Sequence, residues 1–371
     1  MEQYTEYELG AICSRLSSGK GISAKNITDE GEYPVYGGNG LRGYTGTCNF
    51  EGDCAIIGRQ GAFCGNVRYF NGKAYMTEHA VVCCANEEHN TRYLAYLLST
   101  MNLGRLSGQS AQPGLSVKTL SKQIVRMPSL EQQKKVASVL SALDSKIAAN
   151  EKINDNLYEM VNAFYASLFK NANAEVTTVG SYADRIYSGG TPSTANAAFW
   201  DGAYGWFSSG ETRNRFVIST EKTITQEGID SSSTKLAVKH DIVMASAGQG
   251  FTRGQTSMLL LDTYVNQSVI VIHAEKQLLP YLYWNLANRY EELRAISDSS
   301  SIRGSLTTKM ISAFEIPKAT DESIQAFSDF AWSIIPQIEN NLLENERLIG
   351  LREALLPRLM SGEIDASSID I

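Results

Sequence analysis

The sequence predicts a mixed α+β chain, with two globular lobes in tandem repeat joined by two long helices that form an antiparallel intrachain coiled coil. Three observations predict it. Residues 130–169 contain no Gly or Pro and place apolar residues at alternating steps of four and three. The same pattern returns 191 residues later. The segments ahead of the two stretches also match one another piece by piece, so the boundaries read as a first lobe over 1–128, a first helix over 129–170, a second lobe over 175–318, and a second helix with its tail over 319–371.

The first lobe opens with LGAICSRLSSG (Leu9 to Gly19), and VGSYADRIYSG (Val179 to Gly189) repeats it at an offset of 170. GDCAIIGRQGAFCG (Gly52 to Gly65) resembles HDIVMASAGQGFTRG (His240 to Gly254): each is an apolar strand entered through Asp and left through a Gly/Gln-rich turn. HAVVCC (His79 to Cys84) pairs with QSVIVI (Gln267 to Ile272), and Tyr93-Leu94 with Tyr281-Leu282. SAQPGLSVKTL (Ser110 to Leu120) matches SIRGSLTTKM (Ser301 to Met310), with Pro128 and Pro317 just before each helix.

The first helix spans about Glu131 to Phe169 with Ser129 as N-cap, and its seam runs Val136, Leu140, Leu143, Ile147, Asn150, Asn154, Leu157, Val161, Phe164, Leu168. A 3.5-residue period held this long is that of a coiled coil, and the helix needs an equally long partner. The second helix supplies it through Phe327, Ala331, Ile334, Ile338, Asn341, Asn345, Leu348, Arg352, Leu355 and Leu359. The two Asn fall at the same steps in both copies. An antiparallel pairing therefore sets Asn150 beside Asn345 and Asn154 beside Asn341, fixing register because a slip would face amides with Leu or Ile. Pro336 is expected to kink or interrupt the second helix.

Composition narrows the function. Residues 1–128 carry 12 basic against 11 acidic side chains and residues 319–371 carry 3 against 10, so the net charge of −7 sits at the C-terminal end and leaves the lobes neutral. The N-terminus MEQYTEYELG has neither a basic region nor an apolar run for export, which predicts a cytoplasmic chain with no membrane partner. All six cysteines lie in the first 84 residues without a Cys-x-x-Cys pair, so no zinc site is expected. There is no Asn/Asp-Pro-Pro-aromatic tract and no GxxxxGK[ST] loop, and GRQGAFCG has the wrong spacing for a dinucleotide turn. The pattern points to binding without turnover and to no catalytic residue. A carbohydrate- or protein-binding fibre component shares the two-lobe, coiled-coil outline, but such fibres trimerise through parallel helices, whereas the central Asn pairs favour an antiparallel pair within one chain.

The order lobe, helix, lobe, helix, with EQQKKVASVLSALDSKIAANE closing the first half and LREALLPRLMSGEID the second, resembles the specificity subunit of type I restriction-modification systems. The resemblance implies a DNA-sequence-recognition subunit with two target recognition domains, each reading half of a split double-stranded DNA target. It implies spacer helices that also dock two methyltransferase (modification) subunits, with restriction subunits in the full complex. Catalysis and the S-adenosylmethionine, ATP and Mg2+ it uses would belong to those partners, with no cofactor held by this chain. The acidic positions Glu344, Glu346, Glu353, Glu363 and Asp365 read as partner-facing, so truncation after Arg358 is expected to weaken assembly more than DNA contact.

Readout of base edges and phosphates calls for Arg, Lys, Asn and Gln on loops, with Ser, Thr and Tyr in support. In the first lobe the candidates are Tyr36, Asn39, Arg42 and Tyr44, then Arg59, Gln60, Asn66 and Arg68, then Gln109, Gln112 and Lys118. In the second they are Ser208, Arg213, Asn214 and Arg215, then Gln249, Thr252, Arg253 and Gln255, then Arg303, Ser305 and Lys309. A shared framework with unlike tips is what reading two different half-sites requires.

Overall fold

The computed structural model describes residues 4–107, 114–170, 175–248, 251–299, 304–366 and 369. Two compact units emerge, one from residues 1–147 with 347–371, the other from residues 148–346. Each unit takes half of both long helices.

In the first unit β1 (Thr5–Glu8), β2 (Cys13–Ser18), β3 (Tyr33–Gly37), β4 (Gly40–Thr45), β5 (Phe50–Gly58), β6 (Val67–Met76) and β7 (Ala80–Ala85) precede α1 (Thr91–Thr100), α2 (Val117–Ser121), β8 (Ile124–Met127) and α3 (Leu130–Phe169). Six strands form one sheet in the order β2-β7-β5-β6-β3-β4, and β1 pairs with β8. Strand β5 alternates its side chains between two cores because strand residues point to opposite faces. Ala55 and Ile57 join Tyr93, Leu94 and Val136 on the helix side, while Cys54 and Ile56 pack with Met76 and Val82 on the other.

The second unit continues with β9 (Val176–Thr178), α4 (Val179–Tyr182), β10 (Arg185–Ser188), β11 (Trp200–Phe207), β12 (Phe216–Val217), β13 (Lys222–Ile224), α5 (Gln226–Asp230), β14 (Lys235–Ala237), β15 (Ile242–Ala245), β16 (Thr256–Leu259), β17 (Thr263–Val265) and β18 (Val269–His273). It closes with α6 (Leu279–Ala287), α7 (Tyr290–Ser299), α8 (Thr308–Ser312), β19 (Glu315–Pro317) and α9 (Asp321–Ser361). Its main sheet runs β10-β18-β15-β16-β12, and a second sheet runs β13-β11-β17-β14. The order β2-β7-β5-β6 is thus repeated as β10-β18-β15-β16. In both lobes a further strand joins in parallel, β3 on β6 and β12 on β16.

One alignment of the repeat is corrected by a residue. Gly58 pairs with Ala80 and Ala245 with Val269, so Val81 corresponds to Ile270 and not to Val269. Side chains alternate with period 2, so the one-residue difference decides which face each occupies. Val81 and Ile270 both lie in the helix-side cores, and Val82 and Val271 both lie in the opposite ones.

The helix halves run antiparallel within each unit. In the first, Arg352 Nη1 donates to Asp144 Oδ1 at 3.0 Å, and Tyr96 of α1 donates its hydroxyl to the same carboxylate. In the second, Phe164 meets Phe330 with ring centroids 5.0 Å apart, and further along the seam Asn150 bonds Asn345 and Asn341 bonds Asn154 between the two helices. The seam departs from its expected course at Leu168, which is 36% exposed, while Tyr165 and Phe169 are buried against Tyr281. A straight α-helix drifts from a 3.5-residue repeat, and here the second lobe packs on the flank that the drift turns inward.

Pro336 does not interrupt α9, and neither does Pro357. Both lie on the exposed side, where water can take up the carbonyl that a proline leaves without a donor. The truncation expectation also changes. Leu359, Met360 and Ala366 are buried in the first unit's core, so a chain cut after Arg358 loses part of that lobe's interior as well as any partner surface.

The EQQKK tract is explained by burial. Gln133 is fully buried: its Nε2 donates to Pro128 O (2.9 Å) and approaches His89 Nδ1 (3.2 Å), while its Oε1 accepts from Asn90 N–H (2.8 Å). Gln132 Nε2 donates to Asp365 Oδ1 at 3.3 Å. These amides clip the start of α3 to the loop before α1 and to the segment after α9. No helix among the described residues is long and apolar enough to cross a membrane.

Candidate nucleic-acid interface

The best-matched pieces of the repeat are two hairpins, β5–β6 and β15–β16, closed by the same backbone hydrogen bonds. Gly65 N–H donates to Gly58 O at 2.8 Å and Gly254 N–H to Ala245 O at 2.9 Å. Both closing glycines hold φ of +86°, a left-handed conformation that glycine adopts without strain. Next to each closure a distant segment is docked: Leu115 N–H donates to Arg59 O and Leu306 N–H to Ser246 O, each at 2.8 Å. Each docked segment then caps a short helix, Ser116 Oγ accepting from Thr119 N–H (2.9 Å) and Thr307 Oγ1 from Met310 N–H (3.2 Å). This framework carries Lys118 and Lys309 to equivalent exposed places on α2 and α8.

In the first lobe part of the candidate set comes together where the β3–β4 turn meets the β5–β6 hairpin. Asn39 is exposed in the β3–β4 turn and Arg42 is exposed on β4. A Cβ on Gly40 would lie 2.8 Å from Arg68 Nη1, and one on Gly38 3.4 Å from Arg59 N, so the turn sits against the hairpin and brings Asn39 to Arg59 and Arg68. Gln60 bridges Gly114, and Asn66 and Arg68 are exposed. Arg59 Nη1 donates to Ser18 Oγ at 3.4 Å. Tyr44 is half-buried, and Tyr36 packs on Phe70 at 5.0 Å, its hydroxyl pKa raised by burial. A polar hollow of about 430 Å³ opens beside Asn66, Arg68 and Asn102. Gln109 and Gln112 lie outside the described residues.

In the second lobe several candidates are engaged internally. Arg253, 8% exposed, donates to Gly304 O and pairs with Asp298. Ser208 N–H donates to the buried Glu211 at 2.7 Å, a cap that holds the turn before β12. Arg213 donates to Gly210 O at 2.9 Å and pairs with Glu221. Arg215 lies 4.2 Å over the Tyr158 ring and 3.0 Å from Asp155 Oδ1 on α3. The hollow beside it, about 620 Å³, is lined by Glu151 and Asp155, carboxylates that oppose phosphate. Asn214 and Lys309 are exposed, while Thr252, Gln255 and Ser305 are half-buried. Gln249 and Arg303 lie outside the described residues. Gln132, Gln133, Asp144 and Glu211 were not legible as functional from spacing alone, because only the fold shows where their polar atoms are spent. Among the described residues no group of three His, Cys, Asp or Glu is placed to hold a metal ion.

A doubled sheet lobe with a polar, glycine-built rim defines a binding module, and known proteins share parts of its sequence and its fold. Residues 1–159 match the model of the Type I restriction modification DNA specificity domain. The chain is 41% identical over 141 residues to the EcoprrI specificity subunit of Escherichia coli, covering 37% of this chain and 35% of that protein. It is 26% identical over 249 residues to the EcoR124I/EcoR124II specificity subunit of Escherichia coli, covering 64% of this chain and 61% of that one. These alignments span about one third to three fifths of the relatives' lengths. The crystal structure of the S subunit of a type I restriction-modification system from M. genitalium shares the fold over 96% of both chains, with a TM-score of 0.68 and 14% identity. The resemblance to type I specificity subunits, carried in the sequence by the repeated order, is borne out.

Proposed function

We propose that this chain is the non-catalytic DNA-recognition subunit of a type I restriction-modification complex, each lobe reading one half of a bipartite target. The observation that carries it is the shared hairpin framework with unlike tips. The same backbone bonds and the same capped lysine helix recur in both lobes, while Arg68 in one falls at the position of Ser257 in the other and the β3–β4 turn that carries Asn39 and Arg42 has no counterpart there. Phosphate contacts from equivalent positions such as Lys118 and Lys309 would position the duplex without reading sequence, and the unlike tips would read the bases. In this reading α3 and α9 set the spacing between half-sites and dock two methyltransferase subunits, with restriction subunits joining the full complex. S-adenosylmethionine, ATP and Mg2+ serve those partners, and the complex works in the cytoplasm.

The test is a lobe exchange. Replacing residues 175–318 by the corresponding lobe of a relative, in cells carrying the intact system, is expected to change one half of the methylated sequence and leave the other. A change in both halves, or methyl transfer by the purified chain alone, overturns the reading.

A further inference from the structure

Each of the two matched hairpins leaves one aromatic ring in solvent. Phe63, at the end of the short helical turn between β5 and β6, is 42% exposed, and Phe251, between β15 and β16, is 84% exposed. In both cases the backbone beside the ring is held. Phe63 O accepts from Asn66 N–H at 3.1 Å, and Phe251 O accepts from the Tyr290 hydroxyl at 2.6 Å. The closing glycines, Gly65 and Gly254, lock the hairpins just beyond, Gly65 so tightly that a Cβ would lie 2.1 Å from Gly104 N. The rings are thus presented on fixed supports.

Neither hairpin tip carries an acidic residue of its own to repel a polyanion, and the first carries two arginines. Residues 58–68 and 245–255 contain Arg59, Arg68 and Arg253 but no Asp or Glu, in a chain with 40 acidic residues. Asp298 answers Arg253, leaving the second hairpin close to neutral. Apart from the small Ala62 and Cys64 beside Phe63, the flanking residues are Gln60, Gly61, Asn66 and Thr252, a setting more polar than the broad apolar patch that a protein interface uses.

We propose that Phe63 and Phe251 are base-contacting wedges, each ring partly entering the stack at one step of the half-site read by its lobe. The inference rests on the DNA-recognition reading above and adds a mode of readout to it. An aromatic ring stacks on any base, but opening a step costs least at flexible pyrimidine–purine steps. Each ring therefore favours a deformable step without making a hydrogen bond. Because the contact is apolar, it releases no counterions and leaves the salt dependence of binding to the lysines and arginines.

The experiment uses the full chain with its methyltransferase subunits in cells, the chromosome serving as the probe. Phe251→Ala is expected to reduce methylation and to relax one base step in one half of the motif, and Phe63→Ala to do so in the other half. On a duplex built from the site mapped in wild-type cells, each Ala variant should bind roughly tenfold to a hundredfold more weakly at an unchanged salt slope. Phe251→Trp, which keeps the ring, should retain binding, and it decides the matter if the Ala variant loses thermal stability. Ala variants that methylate the same motif to the same extent overturn the inference alone. Loss of subunit assembly in the Ala variants, which would make the rings part of a protein interface, also overturns it. Wild-type cells without any bipartite methylation overturn both it and the reading beneath it.

Discussion

Asn150 donates from its amide nitrogen to Asn345 Oδ1 across 2.8 Å, and both side chains are buried between the two long helices. Asn341 returns the same bond to Asn154 at 2.8 Å, and Asn150 also donates to Glu344 Oε2 at 2.7 Å. A slip along the seam would leave these amides facing apolar side chains, at a cost of about 1–3 kcal/mol for each unsatisfied group. Asn150→Leu alone is therefore expected to lower stability by roughly that amount. The double change Asn150→Leu with Asn345→Leu should raise the melting temperature above wild type while loosening register or promoting association between chains. Thermal melts with light scattering read both effects, and a monomer that melts lower than wild type rejects the register role.

Gln133 is a buried clip, and removing it should be costly. Gln133→Leu leaves Pro128 O and Asn90 N–H without their partners, which predicts a loss of about 2–4 kcal/mol in urea unfolding of the first lobe. An unchanged urea midpoint would show that water replaces the amide.

His89 and His240 give the stability a pH dependence. Burial is the main cause holding both pKa values below the ordinary 6.5, and for His240 the positive charges of Lys239 and Lys276 add to it against Glu339. The unfolded chain therefore takes up protons first as pH falls. The contribution of these residues is fully present above pH 6.5 and is lost as pH drops through the window beneath it. His89→Gln should flatten the fall in urea midpoint between about pH 7.5 and about pH 5.5. An equally steep fall in that variant assigns the dependence elsewhere.

Lys118 and Lys309 should separate from Arg253 in their effects. Either lysine replaced by Ala is expected to change stability by less than about 0.5 kcal/mol, to weaken DNA binding across sequences and to reduce the salt slope by about one. Arg253→Ala instead removes a support of the β15–β16 hairpin and should destabilise the second lobe by about 1–2 kcal/mol, Asp298 being half open to water. Gel shifts over a salt series, read beside melting curves, check this. A lysine variant with an unaltered slope would place that lysine away from the phosphates.

The helices were legible because their signal is periodic and long, and the Asn pairs because polarity in an apolar seam stands out. The hairpins were legible as repeats, but their contents were not. Arg253 and Arg68 look alike in sequence, and only the approach of α7 with Asp298 buries the first, while Gly40 leaves the second exposed beside its turn. Pro336 misled for a related reason. Its effect depends on which side of the helix it occupies, and that follows from packing, not from spacing. Phe251 carries no signal at all in the sequence, since a phenylalanine among glycines reads equally well as core.

Leu359, Met360 and Ala366 fill the same core as Leu9, Tyr93 and Val136. During synthesis the ribosome would therefore deliver the opening lobe long before the pieces that complete it, and the middle lobe, whose parts lie between residues 148 and 346, would be free to close first. The lobe made first is the one finished last, and until residues 347–366 emerge its unfilled interior is exposed to chaperones and proteases.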